Sequence, residues 1–154
     1  MNSPILISNF DTESREQFIA SDKTVLGHRE MTNAVEGTII VLTDKILGIF
    51  GLAVIRNAPG SSKPCIKSHL LDPDMYTGSY AKYNKCHIYI KEVKLFKTPI
   101  SHAQIKQLIN APTISGHGNI WTNNQMSYRA PFHKGVDSEV IDRYKLLINT
   151  WMNT

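Results

Sequence analysis

The sequence predicts an α+β domain, with a strongly curved mixed sheet or a small open barrel flanked by helices. Three observations predict it. Short apolar runs of strand type recur along the chain, two of them, 38–43 and 47–55, meet at a tight Asp44-Lys45 hairpin, and amphipathic stretches fall between and after the strands. The strands read as hairpins without parallel crossovers, which favours α+β over a doubly wound sheet. At 154 residues the chain has the length of a single domain, spanning 1–154. A domain of that size buries roughly 70% of its unfolded surface and needs no staple.

The elements follow in order. "PILISNF" (4–10) is an apolar strand expected to stop at Ser8 and Asn9, two small side chains that bond local backbone or line a cleft. Asp11 is placed to cap a helix whose first turn carries Glu13 and Glu16, favourable at the positive end of the dipole, with Phe18 and Ile19 facing inward. "TVLGHREMTNAVEG" (24–37) reads as loop with a helical fragment, closed by Gly37. The strands of the hairpin are near-continuous apolar runs and should be central and buried. Residues 56–85 carry Pro59, Gly60, Pro64, Pro73 and Gly78 and read as one long loop, of a length that is usually functional. "CHIYIKEVKLF" (86–96) returns to strand. Ser101-x-x-Gln104 is a capping box, with Ile100 and Ile105 set for a hydrophobic staple, opening a helix over 101–109 that ends before Pro112. The stretch 115–132 is rich in turn residues with a short strand. Asp137 or Ser138 caps a last helix, 137–152, packed on the body through Val140, Ile141, Tyr144, Leu147, Ile148 and Trp151.

Apolar residues make up 42% and charged residues 19%, which is globular composition. The longest apolar run, 46–55, has about half the length of a membrane span, and no basic-then-apolar leader opens the chain. A soluble, intracellular protein, cytoplasmic or nuclear, with no membrane partner is expected. Two cysteines, Cys65 and Cys86, form no disulfide framework. The net charge of +4 is unevenly spread: residues 56–106 hold nine basic and three acidic side chains, while 1–55 hold four and seven. Such a local excess is suited to phosphates, and a solvated lysine-rich face is the plain alternative.

No phosphate-binding glycine fingerprint, nucleophile elbow or paired zinc-ligand spacing is present, so no catalytic residue, metal or cofactor is assigned. Tyr76, Tyr80, Lys82, Tyr83 and Lys85 interleave rings and cations, a pattern that stacks bases and meets backbone phosphates, or else pins the loop to the core.

The order of these segments resembles the YTH and EVE domains of the PUA-like superfamily, which read modified bases in nucleic acid. "ILISNF" is similar to their first strand, "EGTIIVLTDKILGIFGLAVI" to the central hairpin, "SHLLDPD" with "YAKYNKCHIYIKEVKLFKTPIS" to the pocket loop and following strand, and "NIWTNNQMSYRAPFHKG" to the segment before a basic-glycine turn. The resemblance spans about residues 4–136 and lies in the order more than in any one motif. It implies a nucleic-acid-binding module that flips a modified nucleobase, such as N6-methyladenine in RNA or DNA, into a pocket. Asn9 would bond the base edge, with Ser8 beside it. The pocket would also draw on Leu26, Gly27, His28, Asn33 and Thr43, and on Leu70, Tyr76 and Tyr80 of the long loop. Phosphates would meet Arg29, Lys67, Lys82 and Lys85, and further along Arg129 and Lys134. The tryptophans that enclose methyladenine in YTH domains have no counterpart near Val25, Leu26 and Gly27 or at Leu70, which brings EVE-like recognition of modified DNA bases into competition. Two rivals stand beside this reading: a PUA-like hydrolase of modified nucleosides using Lys23 or Arg29 with Glu30, and a protein-interaction or dimerisation module using the terminal helix.

Overall fold

The computed structural model describes residues 3, 5–28, 35–44, 46–60, 65–67, 86–110 and 138–154. Among them are six strands, β1 (Ile5–Phe10), β2 (Val25–His28), β3 (Ile39–Asp44), β4 (Gly48–Ile55), β5 (Cys65–Lys67) and β6 (Cys86–Ile100), and three helices, α1 (Thr12–Ala20), α2 (His102–Leu108) and α3 (Ser138–Met152). The strands join in the order β1-β3-β4-β6-β2, with β5 pairing β6 beside that path. The α+β class and the curved, mixed sheet are as the sequence predicts: a half-barrel with helices on its flanks.

Apolar alternation along the strands makes two cores, one on each face. Ile5, Ile7, Ile39, Val41, Ile49 and Leu52 face outward from the curl and pack on Ile105 and Ile109 of the α2 segment and on Val140, Tyr144 and Ile148 of α3. Leu6, Phe10, Ile40, Leu42, Phe50, Ala53, Ile55, Ile88 and Ile90 fill the inside with Leu26 of β2 and Phe18 of α1. Strands buried on both faces are why β3 and β4 read as continuous apolar runs.

Curvature comes from irregularities in the ladders. Leu42 pairs with Gly51 but Thr43 with Ile49, so Phe50 is an extra residue, turned inward against Phe10 at 5.3 Å between rings. Such a bulge bends its strand and increases the twist. β6 carries two further register shifts against β4, and Glu92 within it adopts φ 52°. Its 15 residues thereby serve both β4 and, at the Cys86 end, β2 and β5.

Five expectations are corrected. β1 does not stop at Ser8 and Asn9 but runs through both to Phe10, because β3 pairs with it along its whole length, in parallel. That pairing also makes the sheet mixed through a crossover rather than by hairpins alone. Residues 25–28 are not loop but β2, and 65–67 interrupt the long loop as β5; each is too short to announce itself and is strand only because β6 offers an edge. The strand from Cys86 continues to Ile100, past the expected end at 96.

Local signals set the helix ends. The Asp11 N–H donates to Ser14 Oγ at 3.2 Å, and that hydroxyl donates to Asp11 Oδ1 at 2.7 Å. At α2 the Ser101 hydroxyl accepts from the Gln104 N–H at 3.2 Å while Gln104 Oε1 accepts from the Ser101 N–H at 2.9 Å, the reciprocal box in full. Asn110, at φ 51°, ends that helix in the left-handed conformation. On α3, Val140, Tyr144 and Ile148 are buried, and Ile141, Leu147 and Trp151 pack at the margin, which is the expected stripe. The expected strand within 115–132 and the Asp137 cap lie outside the described residues.

Candidate functional site

Of the expected pocket residues that fall among the described residues, all but Thr43 are on the two strands at the ends of the sheet path. Among the described strands, β1, which holds Ser8 and Asn9, pairs only with β3, and β2, which holds Leu26, Gly27 and His28, pairs only with β6. Ser8 follows Leu6 and precedes Phe10 on the inner face and is 8% exposed. Leu26 belongs to the same inner core, fully buried, so both edges of the half-barrel converge on one interior. Asn9 stands in register with Thr43. Thr43 is two residues from Val41 and so lies on the same outer face, buried, its Oγ1 without a hydrogen-bond partner among the described residues. The structure thus brings Ser8 and Leu26 to one face and sets Thr43 on the other.

At the Cys86 end of β6 three strands line up. Cys86 pairs with His28 on one side and with Lys67 on the other, so His28, Cys86 and Lys67 form a row across β2, β6 and β5. The chain leaves this row at His28 and at Lys67 and returns to it at Cys86. Asn33, Leu70, Tyr76 and Tyr80 of the expected pocket, and Arg29, Lys82, Lys85, Arg129 and Lys134 of the expected phosphate contacts, lie outside the described residues, as does Glu30.

Several charged groups nearby are committed to structure. Arg15 Nε donates to Asp44 Oδ2 at 2.9 Å, and Asp44 Oδ1 accepts from the Ile46 and Leu47 N–H groups at 2.8 and 3.0 Å. One fully buried carboxylate therefore holds the hairpin turn and ties it to α1. Lys23 Nζ, which the hydrolase alternative invoked, donates to the carbonyls of Ile19 and Ser21 at 2.8 and 3.2 Å and so closes the end of α1. Lys94 Nζ donates likewise to the carbonyls of Trp151, Met152 and Thr154 at the end of α3. A groove of about 350 Å³ lies beside it, lined by Lys94, Phe96, Ile100, Trp151 and Thr154, and holds none of the expected site residues. Among the described residues no three His, Cys, Asp or Glu side chains gather as metal ligands do, and no helix is long and apolar enough to cross a membrane.

One arrangement escaped the sequence reading. The Arg56 guanidinium lies over the Tyr89 ring, 5.4 Å from its centroid, and the Arg56 N–H donates to the Tyr89 carbonyl at 3.1 Å. The signal was present in "HIYIK": Ile88 and Ile90 point to the inner core, so Tyr89 and Lys91 point away from it.

No protein-family model and no curated protein sequence matches the chain. Among solved structures, the ASCH protein of Zymomonas mobilis aligns over 94% of this chain and 94% of its own at a TM-score of 0.57 and 11% identity. A single-residue variant of the same protein aligns over 95% and 97% at 0.57 and 10% identity. At such identity the likeness concerns the fold alone: the half-barrel with its flanking helices is a PUA-like fold, the kind the ASCH protein has.

Proposed function

We propose that this protein is a nucleic-acid-binding module that admits one unpaired, modified nucleobase at the opening between β1 and β2, with phosphate contacts from the basic stretch 56–106. The observation that supports this reading is the position of Ser8, Asn9, Leu26, Gly27 and His28 on the two strands that end the sheet path. An edge strand has backbone N–H and C=O groups on its open side, and a planar heterocycle needs such donors and acceptors at its rim. Asn9 on one edge, and Gly27 and His28 on the other, would then frame the guest. Lys67, in the row with His28 and Cys86, and Lys82 and Lys85 along the chain that returns to that row, would meet the phosphates. Extruding the base costs a few kcal/mol, which phosphate contacts and base-edge hydrogen bonds offset.

The test is fluorescence polarisation with single-stranded RNA and DNA oligonucleotides, each bearing one modified base such as N6-methyladenine or none, at 50 and 200 mM salt. Wild type is expected to prefer a modified strand. Asn9→Ala should lower that preference without lowering the melting temperature. Lys82→Ala with Lys85→Ala should reduce the slope of log affinity against log salt by about 1.4, or about 0.7 per single-strand phosphate contact. Absence of binding to every oligonucleotide would sink the proposal. Binding with no preference would remove base recognition and leave the phosphate contacts.

A further inference from the structure

We infer that Arg56, seated on Tyr89 beside Lys91, forms a phosphate-contacting platform for single-stranded nucleic acid on the outer face of the half-barrel. This rests on the nucleic-acid reading above. Within the basic stretch 56–106 it names a surface separate from the pocket and from Lys67, Lys82 and Lys85.

The first ground is that Arg56 is a cation with no anionic partner among the described residues. Arg15 is paired with Asp44, and Lys23, Lys94 and Arg143 are bound to main-chain carbonyls, Arg143 Nε to that of Ile109 at 2.6 Å. Arg56 has no carboxylate or carbonyl acceptor among the described residues, although its Nε is buried. Glu36 does not supply one: its Oε2 accepts instead from the neighbouring Asn57 N–H at 2.9 Å. A guanidinium stays charged at any physiological pH and presents donors in a planar fork, which suits it to a phosphate.

The second ground is that the group is held in place before any ligand arrives. The Arg56 N–H to Tyr89 carbonyl bond fixes its backbone, and the guanidinium lies over the Tyr89 ring within cation–π range. Less side-chain freedom is then lost when a phosphate binds. Arg56 is half-exposed as a residue, so the donors other than Nε are within reach of a ligand.

The third ground is position. Tyr89 pairs with Val25, which puts the platform one strand in from the β2 edge, and it lies three residues along β6 from Cys86, roughly 10 Å. Lys91, exposed and two residues beyond Tyr89, extends the same face. A strand whose base enters beside β2 would lay its next phosphates across this surface.

The experiment compares wild type with Arg56→Gln, Arg56→Lys, Tyr89→Phe and Lys91→Gln, by fluorescence polarisation on a single-stranded oligonucleotide at 50 and 200 mM salt. Arg56→Gln is expected to weaken binding about tenfold and to reduce the salt slope by about 0.7. Arg56→Lys should restore the slope but not the full affinity, since an ammonium keeps the charge and loses the planar fork of donors. Tyr89→Phe keeps the ring and should bind as wild type does. Lys91→Gln, an exposed change that cannot disturb folding, should reduce the slope as Arg56→Gln does. If Arg56→Gln and Lys91→Gln both match wild type while the Lys82 and Lys85 double variant is weakened, the platform is refuted and the nucleic-acid reading stands. If wild type binds no oligonucleotide, both fall.

Discussion

At Gly48 the backbone takes φ +101°, and a Cβ added there would overlap the Ile100 carbonyl oxygen and stand 2.8 Å from the Ser101 Cα. Gly37 has nearly the same dihedral, φ +92°, with open space around it. The pair separates two costs that usually come together. Gly37→Ala meets only the left-handed strain and should cost about 1 kcal/mol. Gly48→Ala must in addition push β4 away from the end of β6, where the neighbour is backbone and cannot rotate aside, and should cost about 3 kcal/mol or more. Urea unfolding of the two variants checks this, and equal midpoints would mean that the β4–β6 junction yields more easily than its packing implies. Asp44, a few residues earlier, illustrates the same economy at the hairpin: a single buried carboxylate satisfies two turn N–H groups and one guanidinium.

Among the elements, α3 depends most plainly on burial. Tyr144 is 1% exposed within the outer core, and desolvation there pushes its phenol well above the ordinary value of 10.0. The folded state therefore holds the phenolic proton at pH values where the unfolded chain releases it. Stability is full below pH 10 and declines as pH rises above it, by up to about 1.4 kcal/mol per pH unit from this one group. Tyr144→Phe should flatten the fall between pH 10 and 11 relative to wild type in urea titrations, and identical slopes would mean that the phenol is not buried in solution. The helices were legible from sequence for a local reason: Asp11, Ser101 and Gln104 cap within three or four residues, and the α3 stripe recurs on the helical period. β2 and β5 were not, because Val25-Leu26-Gly27-His28 and Cys65-Ile66-Lys67 acquire strand structure from pairing with β6, tens of residues away in sequence. The site divides in the same way. Asn9, Gly27, His28 and Lys67 follow from a resemblance in segment order, but that they occupy edge strands, or share a row with Cys86, depends on register. Arg56 on Tyr89 joins two strands more than thirty residues apart and leaves no local trace beyond alternation.

For the whole molecule, one sheet serves two cores. β3 and β4 send Val41 and Leu52 to the outer core and Ile40, Leu42 and Ala53 to the inner one, so neither face can lose its packing while the other keeps a regular ladder. α3 is also tied to the N-terminal side of the chain, where Asn149 Oδ1 accepts from the Ser3 N–H at 3.0 Å, and to α2, through Arg143 and the Ile109 carbonyl. Shared strands and ties between ends of the chain make unfolding cooperative. Trp151, edge-on to Phe96 at 5.9 Å, reports on the junction of α3 with β6, whereas far-UV circular dichroism reports on all the elements together. In a Trp121→Phe variant, Trp151 fluorescence and circular dichroism should therefore trace one urea transition with one midpoint. A fluorescence change that precedes the loss of circular dichroism would show α3 detaching before the half-barrel unfolds. The outer core would then be an accessory layer rather than part of the cooperative unit.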